Sequence, residues 1–375
     1  MKKPELYIGI MTGTSMDGID LSAVHINQNE LKIVATSDIS FTSDLRDYLL
    51  SLKNETTLYD ISQLNVRFSN EVATAVNRFM EEKNIDRYEV RAIGFHGQTV
   101  WHQPESRQFC NEQVASTLQI GSAAQLAVRT GIDIVSDFRQ ADIALGGQGA
   151  PLIPIFDYNF LKSDEQDTIV LNIGGIANIT YLPKGCGKSD IIAFDTGPGN
   201  CLIDYVAKQK FDKEYDSNGT ISRAGKLDEF MLRSLMNEDY IEADYPKSTG
   251  KELFSSEFIE KHKTDGITDI DLLCTLTHFT AKSIAVNIEM IAKSGYKLIV
   301  AGGGVNNSFL MELLERYTGM RTDIAILDCQ DITNSRESLL MAFLAYLRVN
   351  KLPANIPSVT GASRETVLGA ITASN

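Results

Sequence analysis

The chain has 375 residues, of which 43% are hydrophobic and 22% are charged, and its formal net charge is −14. This length and composition are typical of a folded globular protein large enough for two domains. The negative charge argues against nucleic acid or an anionic membrane as the main partner, because both require a basic face. A nucleotide stays compatible with it, since backbone amides and metal ions can meet phosphates locally.

The cysteines and the amino terminus bear on the cellular setting. The five cysteines are scattered and form no CxxC pair, which favours a reducing compartment and predicts neither a zinc site nor a disulfide framework. The first residues lack the apolar segment of a signal peptide, and no window approaches about 18 uncharged apolar residues. We therefore expect a cytoplasmic protein without a membrane partner.

A glycine-containing turn near the amino terminus is the first distinctive feature. Apolar residues at 7–11 and 19–24 predict two strands, and residues 12–18 form the turn between them. Glycine lets the backbone approach a ligand closely, so that successive N–H groups can converge on an anion. The turn is a candidate phosphate site, although no Walker-type Gly-Lys-Ser/Thr follows it. A plain hairpin is the alternative.

Helices and strands alternate along the rest of the chain, which indicates an α/β fold. Apolar spacings of three and four predict helices, and short apolar runs predict strands. The helices are expected at residues 58–79, 122–129, 201–210, 269–293, 308–317 and 335–350, and the strands at 92–95, 117–120, 132–136, 169–173, 176–182, 191–194 and 297–301.

The pattern of strand, glycine turn and strand recurs at residues 169–182, which indicates an internal duplication. We expect an amino-terminal lobe at residues 1–142 and a carboxyl-terminal lobe at residues 143–359. The tail, about residues 360–375, is a candidate to rejoin the first lobe.

Asp195 and the glycine turn after it form the sharpest local signal. The aspartate follows a buried strand, and a helix is predicted to begin after Asn200. Sheets of this class bind ligands at the carboxyl ends of their strands, and a helix start offers N–H groups to phosphate. The carboxylate can bind Mg²⁺ or accept a proton. Capping of the turn is the alternative role of Asp195.

A second glycine turn, Gly302 to Gly304, follows the strand predicted at 297–301. Its three consecutive glycines leave a flat backbone surface on which an adenine or a ribose could lie. The alternative is a loop that ends in an asparagine helix cap.

Polar side chains follow two further strands. His96, Gln98 and Thr99, with His102, come after the strand at 92–95 on an expected loop, where sugar recognition or structural hydrogen bonding is favoured over metal binding. Asp137 and Arg139 follow the strand at 132–136. This second pair could hold polar groups of a substrate or form a mutual ion pair.

Glu337 lies near the start of the last long helix, where the helix dipole alone also favours a negative charge.

The glycine turns, taken together, predict a nucleotide bound in a cleft between two duplicated lobes.

Five segments together resemble the anhydro-N-acetylmuramic acid kinases: residues 13–20, 96–99, 172–178, 194–200 and 302–306. The resemblance runs in order from residue 8 to about residue 370. It implies the two-lobed actin-like ATPase fold, which is ribonuclease H-like, with duplicated α/β domains and an interlobe cleft.

The resemblance also implies a reaction. ATP would phosphorylate the 6-oxygen of 1,6-anhydro-N-acetylmuramic acid while water opens the anhydro bridge, which gives N-acetylmuramic acid 6-phosphate in cell-wall recycling. ATP and Mg²⁺ would be the cofactors, and the protein would be a homodimer. The carboxyl-terminal lobe would carry most nucleotide contacts.

The predicted site residues combine this resemblance with the turns described above. Asp195 would be the base that activates the water, and the first turn would contact the ATP phosphates. The predicted nucleotide residues are Thr12, Gly13, Thr14, Ser15, Met16, Asp17, Gly18, Ile19, Gly174, Gly175, Gly197, Gly199, Asn200, Gly302, Gly303 and Gly304. The predicted sugar residues are His96, Gln98, Thr99, Asp137, Arg139, Asp195 and Glu337.

The metal ligands stay open. Many kinases of the wider superfamily carry an aspartate early in the first turn, and Thr12 or a neighbour takes that place here. Asp17 and Asp20 are candidates that could equally be structural.

Three alternative functions remain. A levoglucosan kinase would open the same kind of bridge in 1,6-anhydroglucose. A non-catalytic ATP-binding protein of the same superfamily would have no need of Asp195. A metal-dependent carbamoyl-transfer enzyme is disfavoured, because the histidine spacing for a metal is missing.

Overall fold

The computed structural model describes residues 3–13, 16, 18–27, 30–250, 252–292, 295–327 and 330–374. The strands are β1 (Glu5–Met11), β2 (Gly18–Ile26), β3 (Leu31–Ser40), β4 (Val90–Phe95), β5 (Gln98–Phe109), β6 (Glu112–Ile120), β7 (Ile134–Ser136), β8 (Thr168–Ile173), β9 (Ile176–Leu182), β10 (Ile192–Pro198), β11 (Lys297–Ala301), β12 (Thr322–Ile324), β13 (Ile326–Leu327), β14 (Gln330–Asp331) and β15 (Ala370–Thr372).

The α-helices are α1 (Ser43–Leu50), α2 (Leu58–Glu82), α3 (Ala123–Thr130), α4 (Gln140–Ile143), α5 (Pro154–Phe160), α6 (Cys201–Phe211), α7 (Thr220–Ala224), α8 (Glu229–Met236), α9 (Asp239–Glu242), α10 (Ser256–His262), α11 (Asp269–Ile291), α12 (Ser308–Thr318), α13 (Arg336–Val349) and α14 (Pro357–Thr360). Among the helices in the described ranges, none is both long and apolar enough to cross a bilayer.

The chain folds as two compact units. The first runs to Phe156 and resumes at Ser335, and the second spans Asp157–Leu327 with Asp331–Asn334. The sequence analysis predicted this division at residue 142 and expected that only the tail, from about residue 360, rejoins the first lobe. The returning segment is longer because α13 packs against β1, β2 and β4 of the first unit.

Both units have the same sheet topology. The first sheet has the order β3-β2-β1-β4-β7, with β15 added at its edge, and the second has the order β10-β9-β8-β11-β12. In each sheet the first two connections are antiparallel, and the fourth and fifth strands run parallel to the first. This repeat confirms the predicted duplicated α/β architecture, whereas the interlobe cleft stays a prediction.

Each unit has its own apolar core. The predicted apolar stripe of α2 is buried from Leu64 onward, whereas Leu58 at its start is exposed. Phe68 and Phe79 of this stripe belong to the same core cluster as Ile8 and Ile10 of β1. Burial of one such side chain contributes roughly 1.5–3 kcal/mol. The Thr57 side chain accepts a hydrogen bond from the Asp60 N–H and so caps the start of this helix. In the second unit, α11 and α12 cover β8 and β11.

Helix α13 lies directly against the backbone of β1 and β4. Gly9 and Gly94 are register partners on these strands, so the two glycines form one patch without side chains. A Cβ at Gly9 would collide with the carbonyl oxygen of Ser338, and one at Gly94 would collide with that of Met341. The hydroxyl groups of Ser22 and Ser338 lie 2.7 Å apart and tie the helix to β2. This contact places the start of α13 beside the strand ends of the first unit.

The β5–β6 hairpin corrects one prediction. The stretch 96–102 was expected to be a loop, but β5 begins at Gln98, so Thr99 and His102 lie on a strand. The two strands form a separate antiparallel sheet in which Trp101 faces Leu118. Both apolar side chains are more than one-third exposed, so the hairpin lacks the alternation of buried and exposed residues from which strands are predicted.

We expect Gly94→Ala to destabilise the first unit by at least about 2 kcal/mol, because its methyl group would occupy the place of the Met341 carbonyl oxygen. Urea unfolding measures this change. Gly187→Ala is the matched control, because its Cβ would meet other atoms only at ordinary contact distances of 3.6 Å and 3.9 Å. Equal stability of the two variants would contradict the close approach of α13.

Candidate functional site

The carboxyl ends of β1, β4 and β7 lie at one edge of the first sheet, because these strands are parallel. Thr12 follows β1, His96 follows β4 and Asp137 follows β7. A cavity of about 290 Å³ opens at this edge, and its lining includes His96, Thr117, Asp137 and Gln140. The fold thus brings together polar residues that are far apart in the sequence, at the position where such sheets bind ligands.

A larger depression of about 870 Å³ lies at the opposite end of these strands. Its lining includes Lys3, Glu5, Lys32 and Arg91, and none of the described site candidates lines it. The predicted polar residues of the first unit therefore lie at the carboxyl edge of its sheet and not at this depression.

The first glycine turn is tied to the turn after β4. The buried Thr12 hydroxyl donates to the carbonyl oxygen of Gly97 at 3.1 Å. Gln98 is fully buried, and its Nε2 donates to the carbonyl oxygen of Gly13 at 3.2 Å. The Gln98 side chain therefore holds the turn, which is a structural role for a residue that the sequence assigned to the sugar.

The rest of this turn is described only in part. The N–H of Met16 donates to the Gly13 carbonyl oxygen at 3.2 Å, and Met16 has a positive φ of 53°. Gly18 and Ile19 begin β2. Three predicted nucleotide residues lie outside the described residues: Thr14, Ser15 and Asp17.

His96 is buried, and both of its ring nitrogens have partners. Its Nδ1 lies 2.7 Å from the Gly97 carbonyl oxygen, which can only accept, so Nδ1 carries the hydrogen. Its Nε2 accepts from Nε and Nη2 of Arg139 at 3.1 Å and 2.9 Å. Burial and then the guanidinium charge lower the pKa of His96 to about 3. The imidazole is therefore neutral, and its lone pair faces a protein group.

Arg139 has a second acceptor on its other side. Its Nη1 donates to the Gly149 carbonyl oxygen at 2.7 Å. The Gly149 N–H in turn donates to Oδ2 of the buried Asp142 at 2.8 Å, and Oδ1 of Asp142 accepts from Asn355 and Thr360, both at 2.8 Å. Burial lowers the pKa of Arg139 to about 10, and Glu337 opposes this shift. The guanidinium thus stays charged near neutral pH.

The other predicted sugar residues of the first unit lie at or near the same strand ends. Asp137 is exposed and has a positive φ of 61°, a backbone conformation that few residues other than glycine adopt. Arg139 bonds to His96 rather than forming the mutual ion pair with Asp137 that was one of the alternatives. Thr99, on β5, accepts from Gln119 at 3.3 Å.

Glu337 lies in the first turn of α13, as predicted. Partial desolvation raises the pKa of its carboxyl group, and the charges of Arg336 and Arg139 oppose that rise. The side chain is exposed, so hydration limits the shift. The coulombic influence between Glu337 and Arg139 acts in both directions and favours the charged form of each.

In the second unit the predicted glycine turns meet at the carboxyl edge of its sheet. The N–H groups of Gly199 and Asn200 donate to the carbonyl oxygens of Gly175 and Gly174, at 2.9 Å and 2.8 Å. A Cβ at Gly199 would collide with the Gly174 carbonyl oxygen. The two turns can therefore dock against each other only because no side chain separates them.

The third turn lies beside them. Gly302 has a φ of 84°, and a Cβ there would lie 2.7 Å from both the Asn172 side-chain oxygen and the Ile173 carbonyl oxygen. Gly303 faces open space, with nothing within 4 Å of a Cβ. The Asn307 side chain accepts from the Leu310 N–H at 3.0 Å, so the predicted asparagine cap of α12 is also present. Of these turns, the backbone at Gly303 is open to a ligand, whereas the N–H groups of Gly199, Asn200 and Cys201 already donate to carbonyl oxygens of the turn at Gly174–Gly175.

Asp195 lies within β10 rather than at its end, which corrects the predicted position. The register shifts between Asp195 and Gly197, so the strand is irregular directly after the aspartate. Its Oδ2 accepts from the Thr249 N–H at 3.0 Å, its N–H donates to the Lys247 carbonyl oxygen at 3.1 Å, and its carbonyl oxygen accepts from the Tyr240 hydroxyl at 2.8 Å. Burial raises the pKa of Asp195 to about 6, against the opposing Thr249 bond.

Sequence reasoning missed the residues that hold Asp195 and Arg139. Lys247 donates through Nζ to the carbonyl oxygens of Tyr240 and Ile241, at 2.9 Å and 3.1 Å, which ties down the segment that contacts Asp195. No local pattern marks this segment. Gly149 lies in a glycine-rich stretch at 144–151, directly after the predicted lobe boundary at residue 142, and this composition was a usable signal for it.

No three His, Cys, Asp or Glu side chains within the described ranges lie together in the arrangement of a metal site. Of the two candidate ligands, Asp20 lies on β2 opposite Met11, and Asp17 is outside the described residues.

A model of the anhydro-N-acetylmuramic acid kinase family matches residues 5–374. An anhydro-N-acetylmuramic acid kinase of Vibrio vulnificus (strain CMCP6) is 39% identical over 99% of this chain and 99% of the relative. One from Sulfurimonas denitrificans is 39% identical over 98% of this chain and 99% of the relative, and one from Salinibacter ruber is 36% identical over 97% and 95%.

We expect Asp195→Asn to stabilise the protein at pH 8. The pKa of Asp195 rises from 3.8 in the unfolded chain to about 6 in the folded protein, so folding favours the protonated acid. The stabilisation by this preference is complete below pH 3.8 and is lost as the pH rises through 6. The loss amounts to about 3 kcal/mol, which the amide avoids. Urea unfolding between pH 5 and pH 8 measures it, with the exposed Asp265→Asn as control. A difference that does not shrink toward pH 5 would contradict the raised pKa.

Proposed function

The chain belongs to the anhydro-N-acetylmuramic acid kinase family, and from that membership we propose that it phosphorylates 1,6-anhydro-N-acetylmuramic acid while opening the anhydro bridge with water. It is a kinase, and it uses ATP as the phosphoryl donor. The products are N-acetylmuramic acid 6-phosphate and ADP.

Asp195 is the base of this reaction, and its desolvated carboxylate is the observation that carries the proposal. The carboxylate accepts a proton from water, and the water oxygen bonds to the anomeric carbon. The bond from that carbon to the bridging 6-oxygen breaks, and the 6-oxygen attacks the γ-phosphorus as ADP leaves. A pKa of about 6 keeps the base ionised at neutral pH yet able to accept a proton. General base catalysis of this kind contributes roughly 100- to 10,000-fold.

The nucleotide binds mainly to the second unit. Its phosphates and ribose lie against the backbone of the turns at Gly174–Gly175, Gly197–Asn200 and Gly302–Gly304. The side-chain-free surface at Gly303 supports this assignment, because a ligand can approach the backbone there. The first turn, at Thr12–Ile19, adds phosphate contacts.

Mg²⁺ would supply positive charge to the transferring phosphoryl group, as it does for phosphoryl transfer in general. Asp195, Asp17 and Asp20 are the carboxylates nearest in sequence to the nucleotide turns.

The sugar binds through the side chains at the carboxyl edge of the first unit. Arg139 receives the lactyl carboxylate, which a guanidinium binds with two parallel hydrogen bonds. The carboxylates of Asp137 and Glu337 accept hydrogen bonds from hydroxyl groups of the sugar, and the Thr99 hydroxyl can donate or accept. His96 lines the cavity, but both of its ring nitrogens bond to the protein, so we assign it a supporting role. Gln98 supports the site by holding the first turn through Nε2.

The resemblance supports three finer statements about the setting. The protein acts in the cytoplasm, its reaction recycles cell-wall sugar, and it forms a homodimer. Light scattering after size-exclusion chromatography measures the last of these, and a mass of 41.4 kDa would contradict it.

Asp195→Asn should lower turnover at least about 100-fold while ATP affinity changes little, because the amide cannot accept the proton from water. Steady-state kinetics and calorimetric titration with ATP measure the two effects. The control is Asp265→Asn, an exposed aspartate outside the predicted site. Turnover equal to that of the unmodified protein would refute the role of Asp195.

In water enriched in ¹⁸O, one heavy oxygen should appear on the anomeric carbon of the sugar phosphate and none in the transferred phosphoryl group. Mass spectrometry of the product detects it after reaction with either 1,6-anhydro-N-acetylmuramic acid or levoglucosan. Product with no label would exclude the hydrolytic mechanism. Turnover of levoglucosan alone would overturn the proposed substrate.

A further inference from the structure

We propose that His96 is a positioning residue that acts through Arg139: its neutral ring fixes the guanidinium in the orientation that receives the anionic group of the sugar. The proposal deepens the proposed function and rests on it. It concerns a residue that the sequence assigned to direct sugar contact.

The hydrogen-bonding chemistry determines which form of His96 is present. A carbonyl oxygen can only accept and a guanidinium can only donate, so the ring lies between two partners of opposite kind. Its Nδ1–H therefore donates to Gly97, and its Nε2 lone pair accepts from Arg139. A doubly protonated ring would present an N–H to the guanidinium and could not bind it. His96 works here as an acceptor.

Two acceptors bind different nitrogen atoms of the Arg139 guanidinium. Nε and Nη2 share the His96 acceptor, and Nη1 donates to Gly149. These bonds leave one N–H on each terminal nitrogen for the oxygen atoms of a ligand. Rotation of the guanidinium would break several bonds at once, so its orientation is set before the sugar binds.

The Gly149 acceptor is itself fixed. Its N–H donates to Asp142, whose other carboxylate oxygen accepts from Asn355 and Thr360. Asp142 and Thr360 are buried, so these bonds form away from bulk water. Arg139 is thus bound between a ring anchored to the turn after β4 and a loop anchored to the segment around α14. Such preorganisation avoids the entropy cost of ordering a long side chain when the ligand arrives.

Two substitutions of His96 separate the acceptor from the rest of the side chain. In H96Q the amide oxygen reaches the position of Nε2 and can accept from Arg139. In H96N the shorter amide reaches only the position of Nδ1, so it keeps the Gly97 contact and loses Arg139. H25Q is the matched control, because His25 lies on β2 and lines the depression at the opposite end of the sheet.

The experiment measures KM and kcat for 1,6-anhydro-N-acetylmuramic acid and for ATP. We expect H96N to raise KM for the sugar at least about tenfold with KM for ATP within about twofold, and H96Q to restore the sugar KM to within about threefold. The effect of H96N should vanish with 1,6-anhydro-N-acetylglucosamine, which lacks the lactyl carboxylate.

The outcomes distinguish the two proposals. If the unmodified protein does not turn over the muramic sugar, the proposed function fails. If it does, and H96N leaves the sugar KM unchanged or H96Q loses as much as H96N, the positioning role of His96 is overturned. If H96N does not fold, the KM of H96Q for the sugar tests the proposal alone. A sugar KM within about threefold of the unmodified protein supports the positioning role, and a larger increase overturns it, because a purely packing role predicts no rescue by a flexible amide.

Discussion

The first unit depends on the contact between α13 and the glycine patch of β1 and β4. Gly9 and Gly94 face each other in the sheet, and the absence of side chains lets the helix backbone lie against the strands. Because α13 comes from the end of the chain, this contact draws Glu337 to the strand ends that carry His96 and lead to Arg139. A larger residue at either glycine would move the helix and the carboxylate with it.

Two half-buried ionisable groups have pKa values that the fold shifts away from their ordinary range. Burial shifts the pKa of Arg139 down to about 10 and that of Asp195 up to about 6, so both are pushed toward their neutral forms. Neutral partners hold each one: an imidazole and a carbonyl oxygen for Arg139, and a backbone N–H for Asp195. Among the residues that the structure describes, no opposite charge bonds directly to either group, so each can still bind a ligand or accept a proton.

The duplicated topology explains why the polar residues fall on corresponding edges of the two units. In each sheet the first, fourth and fifth strands run parallel, so their carboxyl ends lie on one side. In the first unit this edge carries side chains, and in the second it carries glycine turns that pack backbone on backbone. One architecture thus supports a side-chain surface in one unit and a backbone surface in the other.

The sequence by itself determined the elements and residues that have a local signature. The stripe of α2 and the glycine turns, with Asp195 beside one of them, could be predicted because periodicity and turn composition lie within a few neighbouring residues. Glu337 was singled out by the resemblance instead, because its local motif is not distinctive. Tertiary structure alone decided that His96 is a neutral acceptor, that Asp142 holds Gly149, and that Lys247 and Thr249 hold Asp195. These partners are distant in the chain, and a hydrogen bond between distant residues leaves no pattern in either segment. Strand β5 and the first part of β6 were missed for a related reason, since their exposed faces remove the alternation that marks a strand.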